Sequence, residues 1–426
     1  MSARLILSDI KGNVFVHPDL KLLGFDGVFY RRPSSEELIR LPKGSTLFFM
    51  PHHSAVGFDT KAGGETCVEE FGGGKVFAVS AFMIPGYTRL YLPAAIKNKE
   101  DVVLPLWPYT AVGWKKGRFY ACAVKVDRMR RQMPYYYQDE TRIKKQVELF
   151  KKEYSRNRLI KHLCKCALSY NCRNAQNFFL GRWEAPLPVS PACNARCLGC
   201  ISYQDPDCPQ ASHERIQFVP ALEEIAQAAL IHLRRAREGI VSFGQGCEGE
   251  PLLQFRVVRD AIRLIRRRTQ KGTIHLNTNG FNPAYLKELA QAGLDSVRIS
   301  LNSFDEKTYA AYYRPSKYGL GDVLSSVAMA KKSGLFVSLN LLTFPGITDH
   351  EPEVARLATF LKKGYVSLLQ LRNLSIEPSY LMQKMPFLKK RPVGMLAFIK
   401  KLRKLDVRCR IGYFNMPKER FLSFKK

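Results

Sequence analysis

No stretch of this 426-residue sequence approaches the ~18 unbroken apolar residues that a membrane-spanning helix requires. The first nine residues turn polar too early for a secretory signal peptide. We therefore expect a cytoplasmic protein with no membrane partner. In that reducing compartment the eleven cysteines favour metal binding over disulfide bonds.

Acidic residues are scarce: the sequence has 37 of them and 67 lysines and arginines, which gives a net charge of +30. Such an excess is typical of proteins that bind polyanions, and RNA is one partner to consider. The basic runs, however, are dispersed along the chain, as Arg266–Arg268 and Lys400–Lys401 illustrate. Dispersed charge favours a solvated basic surface over an RNA-binding site.

The chain is too long for one ordinary hydrophobic core, so at least two domains are expected. The first 125 residues contain strand-like runs separated by turn signals and carry no recognisable nucleotide-binding or catalytic motif. We divide the chain into a β-rich N-terminal domain (1–125), a helical connector with Cys164, Cys166 and Cys172 (126–182), an α/β domain (183–380) and a basic C-terminal extension (381–426).

Strand and helix patterns alternate six times in the α/β part, and the strands are rich in valine, isoleucine and leucine. This alternation predicts a parallel sheet that is buried on both faces. Six units are fewer than the eight of a closed barrel. The predicted fold class is α/β, a partial (β/α)6 parallel barrel with a separate β-rich N-terminal domain. The predicted strands are 184–189, 240–243, 273–277, 296–301, 336–342 and 366–371.

Three cysteines, Cys193, Cys197 and Cys200, lie within eight residues directly after the first of these strands. Three thiolates can hold three irons of a [4Fe–4S] cluster and leave the fourth iron open for a ligand. Electron-transfer clusters, in contrast, usually have four cysteine ligands. With Cys208 added, the same segment could instead form a four-thiolate zinc site.

Three further motifs follow the cysteine loop in the sequence. Glu248-Gly-Glu-Pro251 follows the second predicted strand, Thr278-Asn-Gly280 ends the third, and the fourth contains Arg298-Ile-Ser-Leu-Asn302. In this order they resemble the radical S-adenosylmethionine (radical SAM) superfamily over roughly residues 183–375. The resemblance implies a [4Fe–4S] cluster, S-adenosylmethionine and a 5′-deoxyadenosyl radical that takes hydrogen from a substrate. It also implies an electron donor such as flavodoxin or ferredoxin.

The resemblance assigns cofactor-binding roles by position. Glu250 matches the acid that receives the methionyl ammonium group, while Ser300 and Arg314 match residues that hold the methionyl carboxylate. Asn302 or Asn277 would then reach the ribose hydroxyls.

Two positions depart from the pattern of the superfamily. Glu248 stands where a glycine is usual, so a second carboxylate lies near Glu250 and the assignment could shift by two residues. Gly199 replaces the aromatic residue that usually precedes the third cysteine, and glycine cannot stack on adenine.

Four residues outside these motifs are also candidates for metal binding or for a place in the cavity. Cys166, Cys172 and Cys247 could ligate a second iron–sulfur cluster, or they could be buried thiols that pack as small apolar side chains. Arg372 lies inside the sixth predicted strand, where a buried charge needs a partner, and we expect it to face the cavity.

The functional prediction is a radical SAM enzyme that acts on a peptide or small molecule of unknown identity. One alternative, suggested by the net charge of +30, is a radical SAM enzyme that modifies RNA. A second is a non-catalytic metal-binding protein on the same fold, against which the intact Cys193, Cys197, Cys200 and Glu250 argue.

Overall fold

A computed structural model describes residues 2–99, 102–205, 209–386 and 390–424. Cys208, the fourth cysteine of the zinc alternative, lies outside these ranges. Within them, no helix is both long and apolar enough to cross a membrane.

The described residues of the N-terminal region form sixteen strands, and every pairing between these strands is antiparallel. The strands are β1 Arg4–Ser8, β2 Val14–Leu22, β3 Gly24–Phe25, β4 Tyr30–Arg31, β5 Leu38–Arg40, β6 Thr46–Phe49, β7 His53–Asp59, β8 Gly64–Val68, β9 Glu70–Phe71, β10 Gly74–Lys75, β11 Phe77–Phe82, β12 Tyr87–Arg89, β13 Leu92–Pro93, β14 Ala95–Lys97, β15 Tyr109–Lys115 and β16 Arg118–Lys125. Eleven of them form one sheet with the central order β12-β16-β15-β11-β1-β2-β7-β14. The predicted β-rich N-terminal region is thereby confirmed.

Three helices follow, where the sequence predicts one helical segment: α1 Glu140–Glu153, α2 Arg158–Leu168 and α3 Arg173–Leu180. The side chains of Asp139 and Asn157 cap α1 and α2 by accepting backbone N–H groups of the first turn. Helix α3 ends at Gly181, whose φ of 62° is a left-handed conformation that glycine adopts without strain.

In the part of the chain from Glu184 onward that the structure describes, seven parallel strands form the second sheet in sequential order. The strands are β17 Glu184–Pro186, β18 Ile240–Phe243, β19 Thr273–Thr278, β20 Ser296–Leu301, β21 Phe336–Thr343, β22 Leu368–Asn373 and β23 Arg410–Gly412. The helices are α4 Leu222–Arg235, α5 Phe255–Arg268, α6 Pro283–Ala292, α7 Glu306–Tyr313, α8 Leu320–Lys332, α9 Glu351–Lys362, α10 Pro378–Lys384 and α11 Met395–Arg403. The predicted partial (β/α)6 barrel is confirmed, and β23 extends its sheet by one strand beyond β22.

Strand β20 illustrates how the sequence separates the two faces of this sheet. Val297, Ile299 and Leu301 are fully buried in the main apolar core, which also includes the helices. Ser296 and Ser300 point to the other face, where they contact polar groups of the neighbouring strands. The inner face of the half-barrel is therefore polar and the outer face is apolar.

The N-terminal region packs against the ends of β21 and β22 through Arg89, which is fully buried. Its guanidinium donates to the carbonyl oxygen of Leu374 at 2.7 Å and to that of Tyr109 at 3.2 Å, so it joins both regions. This end of the sheet carries the carboxyl ends of the strands, where parallel barrels bind their ligands. The boundaries of the four-part division remain a prediction.

Candidate active site

The loop after β17 brings the three predicted cluster ligands together. Burial, assisted by the nearby Glu250 carboxylate, raises the pKa of Cys193 to about 11. Burial also raises the pKa of Cys197, and Cys200 and Cys193 add to that shift. Because the thiols influence one another electrostatically, they form one cluster of side chains at the carboxyl end of the sheet.

The end of α7 holds the cysteine loop on one side. The N–H groups of Arg196 and Leu198 donate to the carbonyl oxygens of Tyr313 and Tyr312, each at 3.0 Å. These bonds flank Cys197 and fix the backbone around it.

The loop after β18 holds the cysteine loop on the other side. Gly249 N–H donates to the Ser190 carbonyl at 2.7 Å, and Glu250 N–H donates to the Ala192 carbonyl at 2.9 Å. A side chain at position 249 would collide with the Ala192 carbonyl, so the close approach requires glycine there.

Glu248 has a structural position in this loop. Its buried carboxylate accepts backbone N–H groups from Val189, Ser190, Gly244 and Gln245. Burial raises its pKa to about 8 against the effect of these donors. Four N–H groups occupy the four acceptor directions of a carboxylate, whereas a protonated carboxyl would turn its own O–H toward a donor. We therefore take Glu248 as an ionised side chain that fastens the loop after β18 to the start of the cysteine loop.

Glu250 retains one acceptor direction. It accepts the Leu252 N–H at 3.0 Å, the Asn279 N–H at 2.8 Å and the Thr278 hydroxyl at 2.6 Å. Burial raises its pKa to about 7, opposed by these three donors. Of the two neighbouring carboxylates, only Glu250 has capacity left for a further donor such as an ammonium group.

Arg314 lies against the cysteine loop in a left-handed conformation with φ 45°. Its guanidinium donates to the Arg196 carbonyl and pairs with Asp205 at 3.5 Å. The side chain thus holds the loop backbone in the structure, and its predicted role toward the methionyl carboxylate stays a prediction.

The other predicted cofactor contacts lie on the inner face of the sheet. Ser300 accepts the Asn340 amide at 3.3 Å, and the amide oxygen of Asn302 is buried without a partner among the described residues. Asn277 instead donates to the Phe243 carbonyl at 2.8 Å and contacts His275 at 3.1 Å. Asn302 therefore has more free hydrogen-bonding capacity for a ribose hydroxyl than Asn277 has.

The space beside Gly199 is filled by an aromatic residue that the sequence analysis did not assign there. A Cβ at position 199 would lie 3.0 Å from the Tyr312 hydroxyl oxygen. Tyr312 belongs to α7, a helix whose short, polar sequence gives little apolar periodicity. An aromatic residue at position 199 would need Tyr312 to move.

The inner face also gathers charged residues that sequence reasoning only partly foresaw. Glu184 of β17 accepts hydrogen bonds from Ser242 and Asn415. Arg298 is buried, and its Nε has no partner among the described residues. Arg372, predicted to face the cavity, donates to the Tyr413 carbonyl from Nε and Nη2 at 3.2 and 3.0 Å. Polar residues at alternate positions of predicted parallel strands were the available sequence signal.

Of the three cysteines considered for a second cluster, Cys166 and Cys247 lie close together in the fold. Donor atoms of Cys166, Cys247 and His162 all lie within 4.8 Å of one another. Cys172 contacts this group through its backbone, since its N–H donates to the Cys166 carbonyl at 3.0 Å. His162 was missed, although its spacing of four residues from Cys166 was visible in the sequence.

The donor set of the cysteine loop fits a [4Fe–4S] cluster. Three thiols come from one loop and are only partly exposed, and the Arg215 guanidinium lies 3.8 Å from Cys200 Sγ. Thiolates are the ligands of such clusters, and a hydrogen bond to a ligand sulfur is one means by which proteins set the reduction potential.

Residues 187–358 match the family model described as the radical SAM superfamily. GTP 3′,8-cyclase from Erythrobacter litoralis is 32% identical over 173 residues, which cover 39% of this chain and 47% of that protein. GTP 3′,8-cyclase 2 from Mycobacterium bovis is 33% identical over 189 residues, which cover 43% and 49%. The chain thus spans about half the length of the curated relatives that it matches.

Among solved structures, a radical SAM methyltransferase from Sphaerobacter thermophilus aligns at 17% identity with a TM-score of 0.39. The alignment covers 54% of this chain and 66% of the other.

Proposed function

We propose that this chain, which belongs to the radical SAM superfamily of enzymes, acts on a small anionic molecule bound inside its half-barrel. When bound, the cluster and S-adenosylmethionine supply a 5′-deoxyadenosyl radical for hydrogen abstraction. In this proposal Cys193, Cys197 and Cys200 hold the cluster, and Glu250 receives the ammonium group of S-adenosylmethionine. The rest of the inner face orients the substrate and excludes water.

The observation that carries the anionic substrate is the uneven charge of the inner face. Burial lowers the pKa of Arg298 to about 9, and repulsion from Arg372 contributes to that shift. Glu184 opposes it, but this carboxylate also accepts hydrogen bonds from Ser242, Gln245 and Asn415. The Arg298 guanidinium therefore has a second guanidinium near it, and the carboxylate that offsets its charge already accepts hydrogen bonds from other donors. A buried cation is stabilised when an anion pairs with it, so a carboxylate or phosphate of the substrate would complete the site.

The matched relatives support a small substrate, since they are GTP 3′,8-cyclases and GTP is itself an anion. The share of each chain that aligns is about half or less, so the substrate of this protein need not be GTP.

The first experiment tests the enzyme class. Anaerobically reconstituted protein with a strong reductant should convert S-adenosylmethionine to methionine and 5′-deoxyadenosine. Cys200→Ala should abolish this conversion, because only two of the three thiolates that hold the cluster would remain. Cys67→Ala, which changes an exposed thiol in the N-terminal region, is the matched control. Equal conversion by Cys200→Ala and wild type would contradict the proposal.

The second experiment tests the substrate class. Deuterated small-molecule pools are added, and deuterium in 5′-deoxyadenosine identifies the fraction that donates hydrogen. We expect the active fraction to be retained by an anion-exchange resin. Arg298→Met should lose deuterium transfer while uncoupled cleavage of S-adenosylmethionine continues. Transfer from a neutral fraction, or full activity of Arg298→Met, would contradict an anionic substrate.

A binding assay at several salt concentrations, with and without an S-adenosylmethionine analogue, separates the RNA alternative. An RNA substrate would show affinity that falls with salt at a log–log slope of about −0.7 for each neutralised phosphate of a single strand. It would also bind more tightly in the presence of a non-hydrolysable S-adenosylmethionine analogue, because occupied neighbouring sites are linked. Salt dependence without that coupling indicates non-specific adhesion to the basic surface.

A further inference from the structure

The helical connector and the loop after β18 meet at a group of three side chains that the proposed reaction does not use. His162 and Cys166 are four residues apart on α2 and therefore lie on one face of that helix. Cys247 comes from the loop after β18, which also carries Glu248 and Glu250. Donor atoms of all three residues lie within 4.8 Å of one another.

The spacing of these donors decides what the group can hold. A tetrahedral zinc ion, with bonds of about 2.3 Å to sulfur and about 2.1 Å to nitrogen, places those two atoms roughly 3.6 Å apart. The observed distance between Cys166 Sγ and His162 Nε2 is 3.4 Å. In a [4Fe–4S] cluster each thiolate binds a different iron, so the ligand sulfurs are spread around the whole cluster rather than around one ion. The observed spacing is that of ligands to a single ion.

The surroundings also suit a metal ion more than three independent side chains. Cys166 and Cys247 are 0% and 2% exposed, whereas His162 is half-buried. Two sulfurs and an imidazole nitrogen form a donor set that zinc prefers among the common divalent ions. Two further residues that could supply a fourth ligand stand beside the group. The N–H of Cys172 donates to the Cys166 carbonyl, and the His213 ring lies close enough to Cys166 for the two side chains to influence each other electrostatically.

We propose that His162, Cys166 and Cys247 form a mononuclear zinc site, with Cys172 or His213 as the fourth ligand. Binding would replace the thiol proton of each ligand cysteine and release it to solvent: two protons with His213 as the fourth ligand, three with Cys172. The ion would tie α2 to the loop after β18, directly before Glu248. Its role is structural, since it would hold the loop that positions Glu248 and Glu250. This site is distinct from the cysteine loop, and its existence does not depend on the proposed substrate.

The first test is the metal content of full-length protein purified anaerobically without added iron or sulfide. We expect about one zinc per chain by plasma mass spectrometry. Cys166→Ser/Cys247→Ser should lose that zinc. Cys164→Ser is the matched control, because Cys164 is a buried thiol on the same helix outside the three-residue group, and it should retain zinc. A Cys193→Ser/Cys197→Ser/Cys200→Ser variant should also retain it.

A second measurement does not depend on whether the Cys166→Ser/Cys247→Ser variant folds. Cobalt(II) alone is titrated into chelator-treated protein that lacks the three loop cysteines. Tetrahedral binding should give the d–d and sulfur-to-cobalt absorption of a thiolate site at about one equivalent. His162→Cys should keep one equivalent and strengthen the sulfur-to-cobalt band, because it exchanges nitrogen for sulfur.

Three outcomes would overturn the proposal. The first is wild-type protein that binds neither zinc nor cobalt. The second is a loop-cysteine variant that assembles about four irons after reconstitution, which would make the site an iron–sulfur cluster. The third is cobalt absorption unchanged by Cys166→Ser/Cys247→Ser in folded protein. Replacing Cys172 and His213 singly identifies the fourth ligand through loss of tetrahedral absorption, and retention in both variants would exclude them.

Discussion

Replacing Glu248 by alanine tests whether this carboxylate holds the backbone of the site or binds a ligand. Four backbone N–H groups, those of Val189, Ser190, Gly244 and Gln245, would lose their acceptor. A buried donor left unpaired costs about 1–3 kcal/mol. We expect a loss near the low end of the sum, about 4 kcal/mol, because the change also removes the cost of burying the carboxylate.

This loss is large enough to measure by thermal unfolding. For a domain of 150–250 residues, 1 kcal/mol corresponds to about 2–4 °C, so the midpoint should fall by roughly 8–16 °C. Circular dichroism of cluster-free protein is the assay, since the effect does not require the cofactor. Glu248→Gln keeps one acceptor oxygen for two of the donors and should lose about half as much.

Glu223→Ala is the control. Glu223 is an exposed glutamate that pairs with Arg268 at 3.0 Å, and removing it should change stability by less than about 1 kcal/mol. The reasoning is wrong if Glu248→Ala keeps the wild-type midpoint but loses affinity for S-adenosylmethionine. That result would mean that Glu248 binds the ligand and that the motif assignment is shifted by two residues.

Two further predictions concern Glu250 and a buried histidine. Glu250→Ala removes a charge-assisted contact worth about 1.5–3 kcal/mol, so the Kd for S-adenosylmethionine should rise roughly tenfold to a hundredfold. Calorimetry on reconstituted protein measures this Kd, and an unchanged value would show that Glu250 does not bind S-adenosylmethionine. Burial lowers the pKa of His232 from 6.5 to about 4. Between these two pH values the unfolded chain binds a proton at this residue and the folded chain does not. The free energy of unfolding is therefore highest above pH 6.5 and decreases as the pH falls from 6.5 to 4. His232→Gln should therefore reduce the drop in unfolding free energy between pH 7.5 and pH 4.5 by roughly 2–3 kcal/mol in urea titrations, and an unchanged drop would contradict that assignment.

Local chemistry made several features predictable from the sequence. The alternation of apolar strands and amphipathic helices determines a parallel sheet, because only burial on both faces accommodates such strands. The spacing of Cys193, Cys197 and Cys200 identifies a cluster loop, because thiolates so close in the chain must lie close in space. Strand bounds were less predictable. β17 ends at Pro186 rather than at residue 189, because prolines 186 and 188 cannot donate to the ladder.

The roles that depend on contacts between distant segments were decided by the tertiary structure. Glu248 and Glu250 are alike in sequence, and only the positions of four backbone N–H groups distinguish the fastening carboxylate from the one with a free acceptor direction. Tyr312 takes the space beside Gly199 because α7 ends there, and His162 meets Cys247 because α2 packs beside the loop after β18. Sequence spacing determines contacts within a loop or one helical turn, whereas contacts across the chain depend on where each element begins and ends.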